Sequence, residues 1–181
     1  MLRRSILKIV LIFCLLWSLF PANSFALGGQ QPAIGEIAPE FSLPSNSEDG
    51  QISLSDYRGK WVVVYFYPKD FTSGCTLEAK RFQQDLVKYQ QRNTQILGIS
   101  ADDLESHTKF CDSEGLKFPL LADLGGKVSK QYGSWMGLFS LRHTYLIDPQ
   151  GILKEIFLGV QPAVHSKEVL ARLDELQSKN S

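Results

Sequence analysis

The run WVVVYFYPKDFTSGCTLEA, residues 61–79, decides how the chain is to be read. Its first half, Trp61 to Tyr67, is an unbroken series of β-branched and aromatic residues, as expected of a central strand buried on both faces. Pro68 ends that strand. From Thr72 onward the apolar positions Cys75, Ala79, Phe82, Leu86 and Tyr89 recur at alternating intervals of four and three, which predicts a helix to about Arg92 with Thr72 as its N-cap. Cys75 therefore falls in the first turn of a helix that follows a buried strand. The backbone N–H groups there lack intrahelical partners and the helix dipole is positive, both of which favour a thiolate.

Outward from this junction the pattern alternates. Strands are predicted at Gln95–Ser100 and Phe118–Leu121, and helices at 102–114, stopped by Gly115, and near Val128–Tyr132. His143–Ile147 and Ile152–Leu158 are joined by Asp148-Pro149-Gln150-Gly151, a turn short enough to make them antiparallel neighbours. A last helix runs from about His165 to Gln177. Upstream, Phe41–Leu43 and Gln51–Leu54 flank a turn containing Asp49-Gly50 and read as a hairpin. Parallel β-α units followed by a hairpin and a helix give one α/β domain over residues 41–181, with a mixed central sheet, flanking helices and an N-terminal hairpin, for which a thioredoxin-like layout is the best fit.

Composition narrows the function classes. The 181 residues carry 19 basic and 19 acidic side chains and are 44% hydrophobic, as an ordinary globular domain is. Three of the basic residues, Arg3, Arg4 and Lys8, precede an apolar stretch from Ile9 to Phe20, and Ser24-Phe25-Ala26 makes a small-residue cleavage site. That order predicts a signal peptide over residues 1–26, cleaved after Ala26. This twelve-residue stretch falls short of the roughly 20 needed to span a bilayer, so no stable membrane anchor is expected. The general secretory and twin-arginine routes both stay open, and the periplasm, a thylakoid lumen or secretion would each fit. No acidic residue precedes Glu36, so the mature chain has a net charge of −3 and no basic cluster, which argues against a nucleic-acid partner. Residues 27–40, rich in Gly and Pro, are expected to form a flexible leader.

Past the signal, two cysteines remain, Cys75 and Cys111, and in an oxidising compartment they could be a structural bridge or a catalytic pair. The neighbourhood of Cys75 points to chemistry. Pro68-x-x-x-Thr72-x-x-Cys75 at a strand-to-helix junction resembles the signature of the peroxiredoxins. The likeness spans nearly the whole mature chain. YFYPKDFTSGCTLEAKRF, FPLLAD and LRHTYLIDPQG are most similar to the peroxiredoxin Q, or bacterioferritin-comigratory-protein, subfamily.

That resemblance implies a cofactor-free, metal-free peroxidase. Hydrogen peroxide or an organic hydroperoxide would be reduced by Cys75, with Pro68 shaping the pocket, Thr72 bonding the bound oxygen species, and Arg142, the matching strand arginine, stabilising the thiolate. Glu78 is expected close by without favouring ionisation. Many members carry a second cysteine five residues after the first, where this chain has Lys80. Others place it on the following helix, which is where Cys111 stands, so the resemblance implies that Cys111 resolves the Cys75 sulfenic acid and that a thioredoxin-type protein restores both thiols. It implies a monomer, because no C-terminal arm of the ring-forming kind is visible. An inert Cys111 beside a one-cysteine enzyme is the alternative. An envelope thiol-disulfide oxidoreductase is another, although Glu78 stands where a Cys-x-x-Cys motif would need its second cysteine. A non-enzymatic domain with a structural bridge is the third.

Lesser candidates complete the reading. Asp103, His107 and Cys111 share a helix face but would spread metal ligands over ~12 Å. His143 and His165 suggest solvated or core roles, and Trp135, Met136, Leu138 and Phe139 form an apolar loop that reads as a cover for the site or as core, with a partner surface as the alternative.

Overall fold

The computed structural model describes residues 28–179, so the expected signal peptide lies outside the described residues. Strand β1 (Ser42–Pro44) and β2 (Gln51–Ser53) pair antiparallel, with Ser45 N–H donating to Gly50 O across the turn. Gly50, at φ +68°, supplies the left-handed conformation that the Asp-Gly turn needs.

The main sheet has the order β5-β4-β3-β6-β7. Its centre is β3 (Trp61–Phe66), all six residues buried, parallel to β4 (Thr94–Ser100) and antiparallel to β6 (His143–Ile147). β5 (Leu120–Ala122) runs parallel to β4, and β7 (Leu153–Leu158) antiparallel to β6. The helices are α1 (Ser73–Gln91), α2 (Leu104–Glu114), α3 (Lys127–Gln131) and α4 (His165–Ser178). The α/β expectation and its mixed sheet are thus observed.

Alternation along β3 divides the core in two. Trp61, Val63, Tyr65 and Tyr67 face one layer with Phe82 and Tyr89 of α1 and Leu173 of α4. Val62, Val64 and Phe66 face the other, with Leu43 and Ile52 of the hairpin and with Tyr132. Since side chains alternate between faces, a one-residue slip of β3 would exchange these sets. A central strand with no polar face has to be covered on both sides, and here it is.

Part of the leader makes sheet-edge contacts that its composition does not suggest. In its described part Gly35 N–H donates to Leu153 O, Ala38 N–H to Gly151 O, and Ile37 bridges Ile152. Ala38 is buried. β7 is an edge strand with unpaired backbone groups, and residues 35–38 satisfy some of them at its start. Glycine and proline content reports what a segment can do alone and does not register an open sheet edge nearby.

Candidate active site

The site forms where β3 hands over to α1. Thr72 holds an extended backbone (φ −77°, ψ 145°) as N-cap, and its carbonyl accepts the Thr76 N–H at 2.9 Å. An N-cap threonine usually turns its oxygen to a first-turn N–H. This one does not. Its Oγ1 lies 2.8 Å from Cys75 Sγ, with the Lys69 carbonyl 3.1 Å away as a second acceptor. The hydroxyl that would have served the helix serves the sulfur instead. Phe71, immediately before it, has φ +60°, a conformation that costs a non-glycine residue about 1–3 kcal/mol and that clusters at functional sites.

Cys75 is 1% exposed. Arg142, one residue before β6, reaches it from the start of the strand next to β3: Nη2 is 3.1 Å from Sγ, while Nη1 donates to Glu78 Oε2 at 2.7 Å. A lysine could not serve two acceptors in one plane as this fork does. The approach is possible because residue 74 is glycine, since a Cβ there would lie 2.7 Å from Nη2. Gly74 is a site residue that motif reading passes over, because its requirement is space taken by a side chain 68 positions away.

Glu78 completes the arrangement. Burial pushes its carboxyl up to about 7 against the opposing pull of Arg142. Oε1 is buried without a hydrogen-bond partner, as is the Tyr65 hydroxyl, whose own ionisation is suppressed by burial and then by the neighbouring Glu78, Cys111 and Cys75. Glu78 therefore orients the guanidinium but, when ionised, opposes negative charge on sulfur.

Of the sequence-derived candidates, Cys75, Thr72 and Arg142 meet at one sulfur. Pro68 lines a cavity of about 450 Å³ with Lys69, Ala101, Asp102, Leu138 and Phe139, and neither Cys75, Thr72 nor Arg142 is part of that lining. In the apolar loop Met136, Leu138 and Phe139 are exposed, Leu138 by 87%, so these three are not core. Cys111, on α2, is a free buried thiol, as is Cys75, and burial pushes it up to about 11. Lys80 makes an ion pair with Glu114 of α2 at 2.6 Å. Asp103 caps α2 by accepting the Ser106 N–H and His107 bonds Asp70, so the shared helix face is occupied by other bonds; among the described residues no cluster could hold a metal ion. His143 and His165 are both buried.

A sulfur held by a hydroxyl and a guanidinium can take an oxygen species into the same donors, an arrangement that fits the class of thiol-dependent peroxidases. The model described as the AhpC/TSA family matches residues 34–156. The chain belongs to that family and is a peroxiredoxin, with relatives named peroxiredoxin Q and bcp at about 40% identity. The bcp protein of Helicobacter pylori strain J99 is 40% identical over 148 residues, 77% of this chain and 97% of that one. Chloroplastic peroxiredoxin Q of Triticum aestivum is 40% identical over 147 residues, 78% of this chain and 67% of the other. Among solved structures, a variant of Xylella fastidiosa PrxQ superposes with TM-score 0.77 at 31% identity, covering 82% of this chain and 99% of that one. Bacterioferritin comigratory protein of Xanthomonas campestris, studied for alkyl peroxide reduction, gives 0.71 at 32% identity over 75% and 90% of the two chains.

Proposed function

We propose that Cys75 is the attacking thiolate, that Thr72, Pro68 and Arg142 organise its pocket, and that Cys111 resolves the product. The observation that carries this is the convergence of Thr72 Oγ1 and Arg142 Nη2 on Cys75 Sγ. In the attack, sulfur takes the distal peroxide oxygen, the O–O bond breaks, and the leaving oxygen departs as water or an alcohol once protonated. The same two donors can follow the charge from sulfur to the departing oxygen, which is why a hydroxyl and a guanidinium suit both ends of the step.

The resulting sulfenic acid is then attacked by the Cys111 sulfur, forming the disulfide and releasing the hydroxyl as water. In the closed fold Cys111 is a poor nucleophile, because burial holds its proton. Burial of both thiols favours resolution through a locally opened state, in which the first turn of α1 and part of α2 give way. A thioredoxin-type dithiol then returns both cysteines to thiols by exchange. Hydrogen peroxide and organic hydroperoxides both fit the role. The chain acts as a monomer in an exported compartment after losing residues 1–26.

The test is peroxide consumption by the reduced mature protein with a thioredoxin-type reductant. Cys75→Ser abolishes it, and Cys111→Ser accumulates sulfenic acid and over-oxidises. Undiminished turnover by Cys111→Ser would make this a one-cysteine enzyme. N-terminal sequencing from the native host tests the export reading: a mature chain that begins upstream of Pro21 sinks it.

A further inference from the structure

Between the loop that precedes Cys75 and the helix that carries Cys111 lies a buried polar knot that the peroxidase chemistry above does not use. The Asp70 carboxylate accepts from His107 Nδ1 at 2.9 Å and Ser106 Oγ at 2.8 Å through Oδ2, and from the Tyr67 hydroxyl at 2.8 Å through Oδ1. Its own N–H donates to Asp102 Oδ2 at 2.9 Å. Asp70 and His107 are 3% and 0% exposed. Burial pushes the Asp70 carboxyl up, but the bonds from His107, Ser106 and Tyr67 outweigh it and hold the group below its ordinary range. An aromatic contact runs alongside: Phe71 meets Phe110 edge-on, ring centroids 5.1 Å apart.

The positions matter as much as the bonds. Asp70 lies five residues before Cys75, and His107 one helical turn before Cys111. If the Cys75 loop leaves alone, His107 and Ser106 lose their acceptor inside the core. If α2 leaves alone, a buried carboxylate loses two of its donors. Either separate movement strands polar groups whose desolvation is then uncompensated, whereas joint release lets water replace every bond at once.

We propose that Asp70 and His107 are a positioning pair that couples release of the Cys75 loop to release of the Cys111 helix, so that both sulfurs leave the core together. The inference rests on the reading of Cys111 as the resolving thiol. Neither residue hydrogen-bonds a reacting sulfur; burial first and then the nearby Asp70 charge hold the Cys111 proton, and the coupling itself acts through the segments that carry the two residues.

Amide exchange of the reduced mature protein, followed over residues 69–77 and 104–112, tests it alongside the rates of peroxide attack and of disulfide formation after one equivalent of peroxide. In the parent the two segments exchange at a common rate. His107→Leu removes the donor while keeping an apolar filling, and we expect exchange of residues 69–77 and disulfide formation to speed up about tenfold, with the attack step changed less than about threefold. His107→Asn, which keeps a donor near the Nδ1 position, restores most of the parental behaviour, a rescue that simple loss of packing would not show. Should His107→Leu not fold, Tyr67→Phe removes one Asp70 bond at constant shape and is expected to speed exchange of residues 69–77 about threefold. Independent exchange of the two segments in the parent overturns the proposal, as do exchange and disulfide rates within about twofold of the parent in the foldable variants. A parent that shows joint exchange but forms no Cys75–Cys111 bond overturns the resolving role and leaves the coupling standing.

Discussion

At Cys75 a single sulfur is served by one hydroxyl and one half of a guanidinium fork, and each partner can be removed separately. Arg142→Lys keeps the charge but cannot bond Sγ and Glu78 in one plane, so peroxide attack in stopped flow is expected to slow by roughly ten- to a hundredfold, the value of one to two charge-assisted bonds. Gly74→Ala separates the site from the helix more sharply. In a helix alanine is worth roughly 0.5–1 kcal/mol over glycine, so the urea midpoint should hold or rise. Yet its Cβ would fall 2.7 Å from Nη2 and push the guanidinium tip off the sulfur, so attack should slow about as much as in Arg142→Lys. A Gly74→Ala enzyme with parental attack rates would mean that Arg142 does not act from the position seen here.

Among the elements, α1 and α2 start in opposite ways. Asp103 accepts the Ser106 N–H at 2.9 Å and so caps α2 in the ordinary manner; Thr72 leaves its helix uncapped by side chain and turns to sulfur. Thermal or urea unfolding should register the contrast. Asp103→Ala is expected to cost about 1 kcal/mol, and Thr72→Val distinctly less, although Thr72→Val should lose most of its peroxide attack rate. Equal stability losses at both caps would show that Thr72 does serve the helix. Element boundaries and types were legible from periodicity because each depends on neighbours within a few residues. The N-cap threonine was legible as well, but its diversion was not, since that depends on where Sγ points once the helix has docked.

On the scale of the whole molecule, two buried groups pull stability in opposite directions with pH. Burial raises Glu78 from an ordinary 4.5 to about 7, so between those values the folded state holds a proton that the unfolded state has lost, and stability falls as pH rises through that window. Burial lowers His165 from 6.5 to about 4, so there the unfolded state binds the extra proton and stability falls as pH drops. At 1.36 kcal/mol per unit each amounts to about 3 kcal/mol over its window, and between about 4.5 and 6.5 they cancel. Denaturant titration of Glu78→Gln should therefore show a steeper loss of stability toward acid pH than the parent. His165→Gln, which keeps a polar partner for Thr144 Oγ1, should uncover loss of stability toward neutral pH. If neither variant changes the slope, these groups do not titrate as their burial dictates.

What the amino-acid order determined unaided was whatever depends on short separations: the doubly buried strand at residues 61–67, the helix register that puts Cys75 in a first turn, and the family signature from Pro68 to Cys75. Arg142 came only through the family likeness, since an isolated arginine before a strand carries no local mark of its use. Tertiary structure decided the rest. It packed residues 35–38 on the edge of β7, required glycine at position 74 for the sake of Arg142, and buried Glu78 with one oxygen unpaired. It also tied Asp70 to His107 across 37 residues. Helix and strand propensities are summed over neighbours along the chain, whereas desolvation, ion pairing and close approach are set by neighbours in space, and the sheet order β5-β4-β3-β6-β7 brings those together from parts of the chain that periodicity cannot compare.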